Sequence, residues 1–253
     1  MKKQFRLFFI FLFFYFAQSS SAQIVNIESA RMQSDTTGWM GNANAGFAIT
    51  QSVDHVLEVG LGAHLQYKTE KSLWLILGSY DFLKGGDQKY ADNSLIHLRY
   101  NHKLNTWLRW EIFGQAQNNL ITQMRARILL GTGPRFKILS NKIIRLYAAS
   151  LIMYEREKEN TAPFIKHNDL RSSSYFSFTI TPVSTVEIIS TTYYQPLFNK
   201  ISDYRVMNQA TLKVKAGKHF SLSVRWNYLH DRFPAGTAPR TIYTFGSGLD
   251  FEF

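Results

Sequence analysis

The last thirteen residues, Thr241 to Phe253 (TIYTFGSGLDFEF), limit the folds open to this chain more than any other stretch. Phe253, Phe251, Leu249, Phe245 and Tyr243 share one parity, with Ser247 as the single gap, whereas Glu252, Asp250, Gly248, Gly246 and Thr244 share the other. Successive side chains of a strand point to opposite faces, so this period of two makes one face aromatic and the other polar. A strand of that kind suits hydrocarbon on one side and water on the other.

The opposite end, MKKQFRLFFIFLFFYFAQSSSAQ, sets Lys2, Lys3 and Arg6 before about eleven apolar residues, Leu7 to Ala17, and then Ser20, Ser21 and Ala22. Residues 1–22 have the pattern of a secretory signal peptide, with cleavage expected after Ala22. The apolar run is too short to span a bilayer, and no other run is long enough for a transmembrane helix. With no Cys in the chain, a lipoprotein signal and a disulfide framework are both excluded. The expected mature chain has 231 residues and a net charge of +8, since three of the 29 Lys and Arg leave with the signal and the 18 acids stay. It is then either soluble or a barrel, because only helices and closed barrels satisfy every backbone group in a membrane. An aromatic content of 15% with slightly negative mean hydropathy fits a barrel, in which half of each strand is polar.

Residues 23–36 read as a periplasmic lead-in, and residues 37–253 as repeated segments of alternation, each followed by a turn. The clearest is His55–Lys68, where Leu57, Val59, Leu61, Ala63, Leu65 and Tyr67 oppose Glu58, Gly60, Gly62, His64 and Gln66. The same reading predicts strands near 37–50, 73–83, 95–103, 107–117, 125–138, 145–155, 170–181, 185–196, 204–215 and 220–228, about twelve with the terminal one. Arg145–Glu155 is apolar on both parities, which leaves its register open. With both termini periplasmic, connections after even strands should be tight and those after odd strands long. Thr69–Ser72, Leu104–Thr106, Pro182–Ser184 and Ala216–His219 are tight, while Lys84–Ser94, Arg156–Asp169 and Asp231–Arg240 read as long polar loops. The first hairpin, around Ser52–Asp54, is shorter than the rule expects. A soluble sandwich or lipocalin-like barrel with its greasy face inside would obey the same spacing. The strong charge of the polar parity and the aromatics near strand ends favour lipid outside instead. The fold class expected is therefore all-β, a transmembrane antiparallel up-and-down β-barrel of about twelve strands.

On this reading the lumen is lined by Arg99, Arg109, Arg127, Arg135, Arg171 and Arg225, with Lys103, Lys137, Arg205 and Lys213. Glu58, Glu111 and Glu187 face them, with Asp81, Asp250 and Glu252. One interpretation is a packed interior of cross-strand ion pairs, with inward glycines such as Gly131 and Gly133 making room for large side chains. The other uses the cationic excess as a filter that favours a small anionic solute. A hydrolase acting on lipid or acyl esters is the alternative of a different class, but no serine lies in a recognisable nucleophile motif near a histidine, so no catalytic residue is assigned. No His or Cys spacing suits a metal, and Gly131-Thr132-Gly133-Pro134 lacks the helix of a phosphate loop, so no cofactor is expected. Nucleic acid is not an expected partner of an exported barrel despite the positive charge. The expected partners are outer-membrane lipid and lipopolysaccharide, the latter through basic loop residues such as Lys158, Lys166 and Arg171.

The terminal aromatic resembles the signal by which bacterial outer-membrane barrels are handed to the barrel assembly machinery, with Phe253, Phe251 and Leu249 as its residues. QIVNIES, LGSYDFLKG, HLRYNHKLN, RILLGTGPRFK, STTYYQP and ISDYRV together resemble the YdiY-like family of salt-induced outer-membrane proteins, over about Gln23 to Phe253. That family is a domain of unknown function, and the resemblance implies an outer-membrane barrel with no catalytic residues to carry over. A monomer in the cell outer membrane is the expected state. The mature polypeptide should then fold only with detergent or lipid, and a folded monomer in plain buffer by size exclusion would refute the assignment.

Overall fold

A computed structural model describes residues 37–51, 55–217 and 220–251. Residues 1–22, the lead-in 23–36, the first loop 52–54, Glu252 and Phe253 lie outside the described residues. The chain forms twelve strands: β1 (Gly38–Gln51), β2 (His55–Lys68), β3 (Ser72–Gly85), β4 (Gln88–Lys103), β5 (Leu108–Asn119), β6 (Met124–Ser140), β7 (Ile144–Glu159), β8 (Lys166–Val183), β9 (Val186–Pro196), β10 (Tyr204–Lys215), β11 (Phe220–Asp231) and β12 (Thr241–Phe251). Each pairs antiparallel with the next in one sheet of order β1 to β12, and among the described residues no ladder joins β12 to β1. No described helix is long and apolar enough to cross a membrane.

The sheet curls around its polar parity. The Tyr175 hydroxyl of β8 reaches Glu111 of β5 at 2.8 Å, and Arg205 of β10 reaches Glu157 of β7 at 3.1 Å, contacts that skip intervening strands. The apolar parity is left on the convex side, where Trp39, Phe47, Trp74, Ile112, Leu130 and Phe245 are exposed. A greasy face turned inward, as a lipocalin-like barrel would have, is thereby excluded. Aromatic pairs cluster toward strand ends, as Trp39–Tyr67, Trp74–Tyr100 and Trp107–Phe136 do near the short turns and Tyr194–Tyr204 near the long loops.

Local side-chain chemistry fixes the short turns. Asn105 Oδ1 accepts from the Trp107 and Leu108 amides at 3.0 and 2.8 Å, and Asn141 Oδ1 does the same for Ile143 and Ile144 at 2.9 and 2.7 Å. Thr69 Oγ1 accepts from the Ser72 amide at 2.9 Å, so three turns use one device, a side-chain oxygen in place of a backbone carbonyl. The opposite end differs from expectation in one respect. Lys84–Ser94 is a hairpin that turns at Gly86 (φ 57°), with β4 starting at Gln88, and Arg156–Asp169 contracts to 160–165 between β7 and β8. Polar residues on both parities there mark strands that rise into water on both faces, beyond the reach of hydrocarbon.

The strand of open register, β7, turns Ala149, Leu151, Met153, Glu155, Glu157 and Glu159 inward and Ser150, Ile152 and Tyr154 outward. Its inward apolar residues join Phe113, Leu129, Tyr175, Tyr193 and Met207 in a buried cluster that crosses the interior, with Leu229 packed against it. Gly131 is what admits the Phe113 ring, because a Cβ at that position would overlap it. Gly131→Ala should therefore destabilise the fold by about 1–3 kcal/mol through overpacking. Urea unfolding in detergent measures this, and Phe113→Leu in the same chain should recover most of the loss.

Candidate functional site

Two buried ion clusters flank the apolar layer on the concave face. The first lies toward the long loops and is built by β6, β7, β8, β10 and β11. Glu155, 1% exposed, receives Arg127 Nε at 2.6 Å, Arg171 Nε at 2.7 Å and Arg205 Nη1. Glu157 takes Arg205 Nη2 at 3.1 Å, with Arg127 Nε at 3.6 Å. Asp203 holds Arg171 Nη2 at 3.1 Å, and Asp231 holds Arg205 Nε at 2.6 Å. Register explains the assembly: Arg127 sits opposite Glu157, and Arg205 lies between Gln195 and Asp231. Three guanidinium groups are thus matched by four carboxylates, and desolvated charges are held in place by their partners.

The second cluster centres on Glu111 of β5, which is fully buried. Arg99 Nη1 donates to Glu111 Oε2 at 3.0 Å, Tyr175 donates to the same oxygen, and Arg135 Nε lies 3.6 Å from Oε1. The Arg135 guanidinium also sits 3.8 Å from the Tyr147 ring centroid, and Arg99 lies 5.1 Å from that of Phe113, so aromatic faces supplement the carboxylate. His97 continues the network, with Arg99 Nε 3.4 Å from its Nε2 and Gln115 Oε1 2.8 Å from its Nδ1.

Loop 232–240 folds over the first cluster. The Thr237 amide donates to Gln123 Oε1 at 3.1 Å, Gln123 Nε2 donates to Thr237 Oγ1 at 2.6 Å, and Ala235 and Ala238 are buried. Gly236, at φ 51°, lies so close to the Gln123 side chain that a Cβ would collide with it. The space left beneath is about 40 Å³, lined by Arg127, Glu157, Arg205, Met207, Leu229 and Asp231 among others.

Asp250 and Glu252 aside, the residues predicted to line the lumen fall on the concave parity, but they do not form one site. Arg127 and Arg171 meet in the first cluster, and Arg99, Glu111 and Arg135 in the second. Arg109 is half-buried and opposite Arg135. Glu187 pairs with Arg145 at 3.1 Å near the short turns, both about a third exposed. Glu58 is half-buried on β2, opposite Ala48 and Leu83, and Arg225 is exposed with its guanidinium over Gly248. Leu249 pairs with Leu222 and Phe251 with Phe220 on the last ladder, while Phe253 falls outside the described residues. The sequence reading omitted Glu155, Glu157, Asp203 and Asp231. The missing signal was the alternation of sign in Glu155-Arg156-Glu157-Lys158-Glu159, which places three acids on one parity. It also missed a cross-strand group on the convex face, where Ser72 and His102 are register partners and the Tyr100 hydroxyl lies 3.1 Å from each. No group of His, Cys, Asp and Glu suited to a metal occurs among the described residues.

An up-and-down antiparallel sheet with an apolar convex face and a charged concave one is the fold of outer-membrane β-barrels. The solved NanC porin shares it, with a TM-score of 0.51 at 10% identity over 85% of this chain and 98% of that one. The translocator domain of the autotransporter NalP from Neisseria meningitidis aligns at a TM-score of 0.46 and 11% identity, covering 87% of this chain and 90% of its own. LpxR from Salmonella typhimurium aligns at 0.42 and 8%, covering 77% and 88%. No curated protein matches the chain. The family model described as protein of unknown function, DUF481, matches residues 43–253, and the chain belongs to that family.

Removing one member of the first cluster should be costly. Glu155→Ala leaves three guanidinium groups facing one another and should lower stability by about 3–5 kcal/mol, whereas Glu187→Ala, at a solvated pair, should cost about 0–1 kcal/mol. Urea midpoints in detergent, compared at equal m-values, distinguish the two.

Proposed function

We propose that this protein is a monomeric β-barrel of the bacterial outer membrane, exported by residues 1–22, with a structural envelope role and no catalytic activity. It would be inserted by the barrel assembly machinery and sit among lipid and lipopolysaccharide, its long loops facing outward. The observation that supports a structural role over an anion filter is the filled interior: paired charge, then an apolar layer, then paired charge again. The cationic excess expected from sequence is offset by the inward acids of β7, which weakens the case for a basic constriction. A filter also needs wet, uncompensated charge along a path, and here Arg127, Arg135, Arg171 and Arg205 are buried against carboxylates.

Planar-bilayer recording tests the proposal. The intact mature chain should give no resolved steps, and deletion of 233–239 combined with Glu155→Ala and Arg205→Ala should raise leak current. Stable anion-selective steps from the unaltered protein, shifted in reversal potential by charge reversal at Arg127 and Arg135, would refute the structural role. A second reading, a hydrolase of lipid or acyl esters, draws support from one distance: Ser72 Oγ lies 3.5 Å from His102 Nδ1 on the convex face. Fatty-acid release from phospholipid vesicles that Ser72→Ala abolishes would establish it, and no release by the refolded protein would dismiss it.

A further inference from the structure

Toward the short turns, strands β1 to β5 enclose a trough of about 540 Å³ on the convex face, within the size range of small-molecule sites. Trp39, Trp74, Ile76, Leu98 and Ile112 line it, with Gly114 among them. The trough follows from side-chain size. Trp39 against Tyr67 and Trp74 against Tyr100, with ring centroids 4.7 and 4.3 Å apart, form two ridges. The next outward row, Leu65, Ile76 and Leu98, ends in Gly114, where a Cβ would make only an ordinary 3.5 Å contact with Leu130.

One end of the trough is polar. Tyr100 belongs to the wall through its ring, and its hydroxyl lies 3.1 Å from both Ser72 Oγ and His102 Nδ1. Beyond them the Lys103 amide, at the end of β4, donates to the Lys71 carbonyl at 2.7 Å, which holds the β2–β3 turn and its exposed Lys71 beside this group. An apolar channel that ends in two hydroxyls, an imidazole and an ammonium group is complementary to an acyl chain joined to a phosphate. Hydroxyl, imidazole and ammonium donors suit phosphate oxygens, and charge assistance strengthens the contact.

We propose that this trough holds one glycerophospholipid from the leaflet at the short-turn side, an acyl chain along Trp74, Leu98 and Gly114 and the phosphate at Ser72, His102 and Lys71. The inference rests on the reading that the convex face meets lipid. The site would retain a single molecule that the surrounding lipid shell exchanges only slowly.

The mature protein, purified from outer membranes in mild detergent, should carry about one phospholipid per chain by native mass spectrometry and lipid extraction. Gly114→Phe fills the trough, and the double variant Lys71→Gln, His102→Ala removes the rim without touching the apolar wall. Each should lower retained phospholipid roughly tenfold, the loss of about 1.4 kcal/mol of affinity, while heat-modifiable mobility on gels and bilayer insertion stay unchanged. Should Gly114→Phe fail to fold, the rim variant alone decides. Insertion without bound phospholipid, retention unaltered by either change, or retained lipopolysaccharide in its place would each overturn this inference and leave the barrel reading standing. Failure of the unaltered chain to enter a bilayer would instead remove the barrel reading itself.

Discussion

Hydrocarbon offers no hydrogen bonds, and the rest of this structure follows from that. A sheet with lipid on its convex side must satisfy each amide and carbonyl on a neighbouring strand, and it must spend its apolar side chains outward. The interior then lacks the greasy residues that fill a soluble core, so another material has to occupy it. Here the filling is layered. Glu155 and Glu111 each gather several cations, and Leu129, Leu151, Met153 and Met207 occupy the space between.

That layering explains which parts of the chain could be read in advance. On β2, β4, β8 and β11 polarity and parity coincide where the sequence alternates, and the expected inward residues there are the observed ones, whereas on β10 Met207 is inward and Asn208 outward. On β7 they do not, because Ala149, Leu151 and Met153 are inward and apolar while Ile152 faces out. Reading polar as inward fails wherever the interior itself is dry. The correct register was present only in charge order, through Glu155, Glu157 and Glu159, and recognising it required knowing that Arg127, Arg171 and Arg205 converge from three other strands. Convergence across a lumen is a property of curvature, which spacing along one chain does not encode.

The convex group of Ser72, Tyr100 and His102 was hidden for a related reason. The residues are 28 and 30 positions apart in pairs, and only the register of β3 against β4 unites them. No motif of fixed spacing describes such a group, whereas the ladder geometry does so directly. The same register supplies the neighbouring aromatic ridge, so Trp74 and Tyr100 shape the trough and orient its polar end together.

The contact between Gln123 and Thr237 spans 114 positions of sequence and ties the β5–β6 connection to the β11–β12 connection across the mouth. This latch can close only when the β5–β6 and β11–β12 connections are both in place. Such distant partners are slow to find each other. The cover over the first ion cluster thus depends on two connections far apart in the chain, so it is held only where both keep their native geometry.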